Sequence, residues 1–363
     1  MGESSSGRVR EGLQDASTVL ERERVSAAYT KKLKIRFHVF LFWVASSAWA
    51  TTSWWLDDPL CDQVLCEFIS MLYSQGEKIW KARLTVLSVQ TAHRHLRGHL
   101  PRAWDSIKSW QLKNPLNSRV PMTIDICRAF FGMSLALGLM APEQASLYLC
   151  FSVLSRVAFH CMLRPVELLR LTAGDVRLPH SDYEPESAVL CLQDPKNKAS
   201  LGRYQYVMVH DPGLIAWLAW LIACMPSHLT LWPSSRSKFA KLFFDLSSRL
   251  LVDHLGLTLG SFRAGGTTFL HLSGVAINIL KFRGRWKTDS SMEVYIQEAM
   301  ARLTLSRLPD TTLNTISSLA RGSDLQWQSP PSQPWTAFFD RSQQVRGWEA
   351  LRRMREKLSK SCC

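Results

Sequence analysis

A chain of 363 residues, 46% of them apolar, can bury a large core, and because single cores rarely grow past about 250 residues two domains are expected. A formal charge of +14 and a pI near 9.6 point to a polyanionic partner, nucleic acid or an acidic membrane surface. The nine cysteines are odd in number and scattered through apolar runs, which argues against a secreted disulfide framework and for reduced thiols inside a cell.

Residues 1–26 are polar, carry no secretion-signal pattern, and read as a disordered or weakly helical lead-in. From Phe37 to Leu56 the run FHVFLFWVASSAWATTSWWL contains no Asp, Glu, Lys or Arg and follows the basic KKLKIR, so its length and flank admit a bilayer span. Its Ser/Thr-rich second half, and Tyr29, Leu33, Phe37, Phe40 and Val44 at three-to-four spacing, favour a core helix instead. No membrane association is expected. The terminal SCC after RRMREKLSK is a lipidation hint that no other feature supports.

Residues 27 to about 115 read as several helices broken at Asp57-Asp58-Pro59, Gly76 and Pro101. Between Lys81 and Arg119 lie Lys81, Arg83, Arg94, Arg97, Arg102, Lys108, Lys113 and Arg119 with Asp105 the only acid, and Trp80, Trp104 and Trp110 are interleaved with them. Two readings are open. Such a face can clamp a DNA backbone, each cation displacing counterions from phosphate, or it is an ordinary solvated face with the indoles turned inward. His95 and His99 are four apart, but no third ligand is suitably spaced, and no metal site is expected.

Two prolines and two asparagines in KNPLNSRVPMTID place a domain boundary around residues 115–122. Two apolar helices follow, the second running into Arg164. The β-prone runs AVLCLQ and YQYVMV flank DPKNKASLGR as a hairpin with lysines on its turn. Helical character then returns in GLIAWLAWLIACM, KFAKLFFDLSSRLLVDHL and SFRAGGTTFLHLSGVAINILKF. The expected fold is mainly α with a small β-sheet or hairpin.

Several polar residues interrupt these apolar patterns. LRPVELLRLTAGDV places Arg164 and Glu167 one helical turn apart on the same side. Arg263 opens a later helix, and GRWKTDSSMEVYI puts Trp286 and Tyr295 close behind it. Taken singly, each has an ordinary explanation: arginines snorkel from apolar helices, and a tyrosine packs amphipathically.

Taken together, their order and spacing resemble the signature of tyrosine recombinases. Arg164, Glu167, Leu168, Leu171 and Asp175 fall in register with that family's first arginine box. A hairpin lysine, then Arg263, then Trp286 twenty-three positions on, then Tyr295 nine further, resemble the rest, in which the tyrosine lies on the last helix. The wording RAGGTT and GRWKT is similar to recombinases of eukaryotic mobile elements of the Crypton or tyrosine-recombinase retrotransposon type.

The resemblance implies a helical core-binding domain that clamps DNA (27–118) and a mixed α/β catalytic domain (122–320); the residues themselves add the disordered lead-in (1–26) and a linker with a basic C-terminal helix near 341–360 (321–363). It implies a site-specific recombinase or integrase that cleaves and rejoins double-stranded DNA through a 3′-phosphotyrosyl link, needing neither ATP, metal nor other cofactor. By resemblance Tyr295 is the nucleophile, and Arg164 and Arg263 grip the phosphate in fork geometry. Glu167 holds Arg164, Trp286 supports the phosphate, and Lys196, with Lys198 the competitor, protonates the leaving 5′-oxygen. Lys81, Arg83, Arg94, Arg97, Arg102 and Lys108 line the DNA clamp. A tetramer on paired sites and a nuclear location are further implications.

One position departs from the pattern. Gly260 stands where the family usually has histidine, so proton removal from Tyr295 falls to water or to Ser261. Two alternatives to an active recombinase follow: a weakened DNA-binding relic of a mobile element, and a DNA-relaxing enzyme of the type IB topoisomerase kind.

Overall fold

The computed structural model describes residues 25–51, 53, 54, 57–115, 119–140, 144–180, 187–193, 195, 201–223, 225–327 and 330. Internal contacts divide the chain into two units, 1–117 and 118–363.

The described helices of the first unit are α1 (Ala27–Ala45), α2 (Asp58–Ser74), α3 (Ile79–Ala92) and α4 (Pro101–Lys113). Helix α1 buries Leu33, Phe40 and Val44, while Tyr29 and Phe37 are half-buried. It stops at Ala45, where the Ser46 and Ser47 hydroxyls donate back to the Phe42 and Val44 carbonyls at 3.0 and 2.8 Å. The uncharged run 37–56 is therefore not a single helix. Among the described residues no helix is long and apolar enough to cross a membrane. Helix α4 begins at Pro101 without a side-chain cap of its own. The cap comes from α2: the buried Asp62 carboxylate accepts from the backbone N–H groups of Arg102 and Ala103 at 2.9 and 2.8 Å, satisfying donors that a helix start leaves free. Phe40, Trp54, Phe68 and Trp110 join the core between these helices.

The second unit is built on α5 (Ile124–Met140) and α6 (Ala145–His160), apolar helices that pack on each other. From Tyr148 to Phe159 every residue of α6 is buried, as expected of a helix apolar on all sides. The short α7 (Pro165–Leu168) follows, then a three-stranded antiparallel sheet of β1 (Val176–Arg177), β2 (Ala188–Gln193) and β3 (Tyr204–Val209) in that order. Alternate residues of β3 are buried and exposed, the period of a strand with one face on the core. The β2–β3 turn carrying Lys196 and Lys198 lies outside the described residues.

Helices α8 (Pro212–Ile222), α9 (Arg236–Arg249), α10 (Ser261–Leu272), α11 (Ile277–Gly284), α12 (Asp289–Glu293), α13 (Glu298–Ser306) and α14 (Asp310–Trp327) complete the unit. The expected mainly α fold with one small sheet is the fold observed. Helix α14 continues past position 320, where a linker was expected to begin, and packs on α5 as far as Trp327. Trp327 is buried in the main core, so residues 321–327 belong with this unit. The expected basic helix near 341–360 lies outside the described residues.

Candidate functional site

The site gathers at the end of α6. The chain leaves that helix through Met162, in the left-handed region at φ +48°, and Arg164 then caps α7. Its backbone N–H donates to Glu167 Oε2 at 2.9 Å and its guanidinium to Glu167 Oε1 at 2.5 Å. Two further residues of the same motif have local tasks. Leu168 and Leu171 are buried in the core. Asp175 accepts from the Thr172 N–H at 2.9 Å and from Gln193 Nε2 at 2.6 Å, tying the turn to β2.

Arg263 enters from the first turn of α10, which comes close to its neighbours because Gly265 and Gly266 lack side chains. A Cβ on either would overlap the Met122 or Phe159 carbonyl. Arg263 is wholly buried, and its terminal nitrogens donate to the Met162 and Gly284 carbonyls, each at 2.6 Å. Each terminal nitrogen keeps a second hydrogen, and Nε has no hydrogen-bond partner. Burial, then repulsion from Arg164 and Arg285, lowers the guanidinium pKa.

The Trp286 indole covers this guanidinium, with the Arg263 carbon 4.2 Å from its ring centre and 5.4 Å from that of Tyr295. The Trp286 and Tyr295 rings are 5.3 Å apart. Tyr295 is half-buried and lies in the turn between α12 and α13 rather than on the last helix. Its carbonyl accepts from Thr268 Oγ1 of α10 at 3.0 Å. Arg164, Glu167, Arg263, Trp286 and Tyr295 therefore form one cluster. Lys196 lies outside the described residues.

The sequence reading missed Arg285. It was in view within GRWKT, but nothing in the motif distinguished it from a solvated arginine. Its guanidinium is buried and donates to Glu167 Oε2 at 2.8 Å. Glu167 is thus a nearly inaccessible carboxylate between two cations. Burial alone would raise its pKa, but Arg285, the Arg164 N–H and the Arg164 guanidinium outweigh that and hold it below the ordinary carboxylate value. Three guanidiniums against one carboxylate leave the site with an excess of positive charge beside an indole and a phenol.

Gly260 precedes α10, and the exposed Arg119 lies against it: a Cβ there would meet the Arg119 Nη1 at 2.7 Å. Ser261, one of the two proton acceptors considered, is buried, and its Oγ accepts from the Thr258 N–H at 3.0 Å. That arrangement disfavours it as a base.

In the first unit Lys81 pairs with Glu77, and Lys108 with Asp105 at 2.8 Å. Arg94, Arg97 and Arg102 are exposed and Arg83 half-buried. The indoles divide: Trp110 is in the core and Trp104 packs against it, whereas Trp80 is half-exposed with Arg36 6.0 Å above its ring. His95 and His99 both face Asp58, at 3.8 and 2.6 Å.

No family model and no curated protein matches the sequence. Solved structures do. A XerH site-specific recombinase in a post-cleavage complex with a palindromic difH substrate is similar with a TM-score of 0.50 at 11% identity, over 77% of this chain and 78% of that one. The pre-cleavage complex of XerH with difH gives 0.49 at 12% identity, over 77% and 79% of the two chains. At such identity the likeness is one of fold: the second unit's helices and small sheet, preceded by a helical unit, follow the tyrosine recombinase fold.

Proposed function

We propose that the protein is a DNA strand transferase of the tyrosine recombinase kind. The observation that carries this reading is the cluster of Arg164, Arg263 and Arg285 around the single carboxylate of Glu167, with Trp286 and Tyr295 against Arg263. Such a set suits a reaction in which negative charge grows on a phosphate. The Tyr295 oxygen attacks the scissile phosphorus, the P–O bond to the 5′-oxygen breaks, and a 3′-phosphotyrosyl link keeps the bond for rejoining. Arg164, the most exposed of the three guanidiniums, and the second hydrogens of the Arg263 nitrogens stabilise the phosphate oxygens. Lys196, or Lys198, supplies the proton to the leaving oxygen from the β2–β3 turn, and a water takes the Tyr295 proton in place of the side chain that Gly260 lacks. The cations of the first unit hold the duplex. Assembly as a tetramer on paired sites, a mobile-element origin and a nuclear location are part of the same proposal, motivated by the sequence resemblance.

A second reading, a DNA-binding protein with little or no cleavage, is favoured by the empty side-chain position at Gly260 and by Ser261 being taken up locally. Purified protein is incubated with nicked DNA pools drawn from the genomic flanks of its gene, and covalent adducts are scored for the wild type and Tyr295→Phe. An adduct lost in Tyr295→Phe supports the transferase. Salt-sensitive binding without an adduct, on a pool holding a competent site, supports the second reading. Strand exchange between two sites then separates recombination from DNA relaxation.

A further inference from the structure

We propose that Arg285 is a positioning residue of this site: it holds the Glu167 carboxylate in place, so that Glu167 in turn aims the Arg164 guanidinium. The inference deepens the transferase reading and rests on it.

The two oxygens of Glu167 are divided between its partners. Oε1 receives the Arg164 guanidinium at 2.5 Å, while Oε2 receives the Arg285 guanidinium at 2.8 Å and the Arg164 N–H at 2.9 Å. Side-chain exposure is 24% for Arg164 but only 6% for Arg285 and 5% for Glu167. Arg164 is thus the member that reaches solvent, and the pair behind it is closed off. An i,i+3 ion pair open to water is weak and flexible. A buried carboxylate already paired to a second cation has no freedom to turn away, so the oxygen it offers to Arg164 stays in place.

The charge balance points the same way. Burial drives the Glu167 carboxyl towards its neutral form, and the Coulombic attraction of Arg285 is the largest single contribution opposing that, ahead of each of the three made by Arg164. Without Arg285 that balance moves towards the neutral carboxyl, which opposes the Arg164 charge less well. Backbone conformation adds a separate argument. Arg285 ends α11 in the left-handed region at φ +57°, a conformation that glycine adopts without strain and a side chain does not. The position is unfavourable for arginine unless the side chain is needed, and its guanidinium joins the end of α11 to the start of α7. Trp286, the next residue, covers Arg263, so the same turn touches both of the arginines that the transferase reading assigns to the phosphate.

The test uses the full chain with Arg285→Gln, Arg285→Lys, Glu167→Gln and the double variant Glu167→Gln/Arg285→Gln. Tyr295 adduct formation on saturating nicked DNA is timed from pH 5 to 9, and DNA affinity is measured alongside. Arg285→Gln is expected to slow the adduct at least tenfold at pH 7 while the DNA Kd stays within twofold. An acid limb that the wild type does not show above pH 5 appears in this range, and Arg285→Lys recovers part of the rate. After Glu167→Gln the same change alters the rate less than twofold, since the two act through one another. Equal slowing in both backgrounds, or a rate profile of Arg285→Gln without an acid limb above pH 5, overturns the proposal.

Thermal unfolding at pH 7 decides the coupling independently of catalysis. Glu167→Gln lowers the midpoint of the wild type, and after Arg285→Gln it lowers it by less than a third as much. An equal drop in both backgrounds overturns the proposal whether or not an adduct forms. Absence of a wild-type adduct counts against the transferase reading alone.

Discussion

Replacing Trp327 with alanine is expected to cost the second unit about 4–5 kcal/mol, near the top of the range for a buried aromatic. Trp327 is the last residue of α14 and is held on every side. Its Nε1 donates to Asp211 Oδ1 at 2.9 Å, and its carbonyl accepts from Trp217 Nε1 at 3.1 Å. Its ring lies 5.1 Å from that of Phe131 and 6.5 Å from that of Trp217. The Arg156 guanidinium is 4.0 Å from the ring centre, and its Nε and Nη1 have no hydrogen-bond partner among the described residues. Truncation therefore removes packing and also takes from a buried cation the aromatic face that compensates it, a contact worth about 2 kcal/mol when desolvated. Trp327→Phe keeps the face and loses the Asp211 bond, about 1 kcal/mol; Asp211 still caps α8 through the Leu214 N–H at 2.7 Å. Gly213→Ala attacks the same contact from the other side, because its Cβ would overlap the indole. Hydrogen exchange of the α5 and α6 amides is the appropriate readout, since a two-unit chain need not unfold in one step. At about 2–4 °C per kcal/mol, the unit's midpoint falls on the order of 10 °C in the alanine variant. A loss below about 1.5 kcal/mol, or equal losses for alanine and phenylalanine, would refute the reasoning.

Gly284→Ala is expected to cost about 1–3 kcal/mol and to slow the Tyr295 adduct, because its Cβ would overlap the Trp286 indole that covers Arg263; unchanged stability and rate count against that packing. Gly260→His is expected to speed the adduct by about tenfold or more, displacing only the flexible end of Arg119; an unchanged rate would show that no group is wanted there. His160 is pushed down to about 4 by burial and then by Arg156. The folded state resists a proton that the unfolded chain takes near pH 6.5, so stability present above that value is lost as pH falls towards 4, by up to about 3 kcal/mol. His160→Phe flattens that slope in unfolding curves recorded from pH 7 to 4, and a slope identical to wild type rejects the assignment. Arg97→Ala/Arg102→Ala is expected to reduce the dependence of log K on log salt by about 2 in DNA-binding titrations; an unchanged slope removes these two from the interface.

Periodicity and local chemistry made much of the fold legible in the sequence. Leu33, Phe40 and Val44 mark the buried side of α1 by spacing alone, and the β-prone composition of YQYVMV marks β3, though not its faces, since Gln205 is buried and Tyr204 and Tyr206 are exposed. Arg164 and Glu167 were readable as a pair by spacing too, being one helical turn apart. Whether the uncharged run 37–56 continued as a single helix was not readable. The Ser46 and Ser47 hydroxyls end it, and such local bonds compete with the helix on terms that composition does not reveal. That the second unit continues past residue 320 was likewise hidden, since Trp327 is held by Phe131, Arg156, Asp211 and Trp217, all more than a hundred residues earlier.

At the site, the sequence by itself determined which side chains carry charge, an indole or a phenol, and the order in which they come. Only the tertiary structure decided that Arg285 shares Glu167 with Arg164, that Ser261 is used up by Thr258, and that Arg119 lies against Gly260. A buried carboxylate must find its partners in space, and the arginine that completes this one lies 118 residues further along the chain.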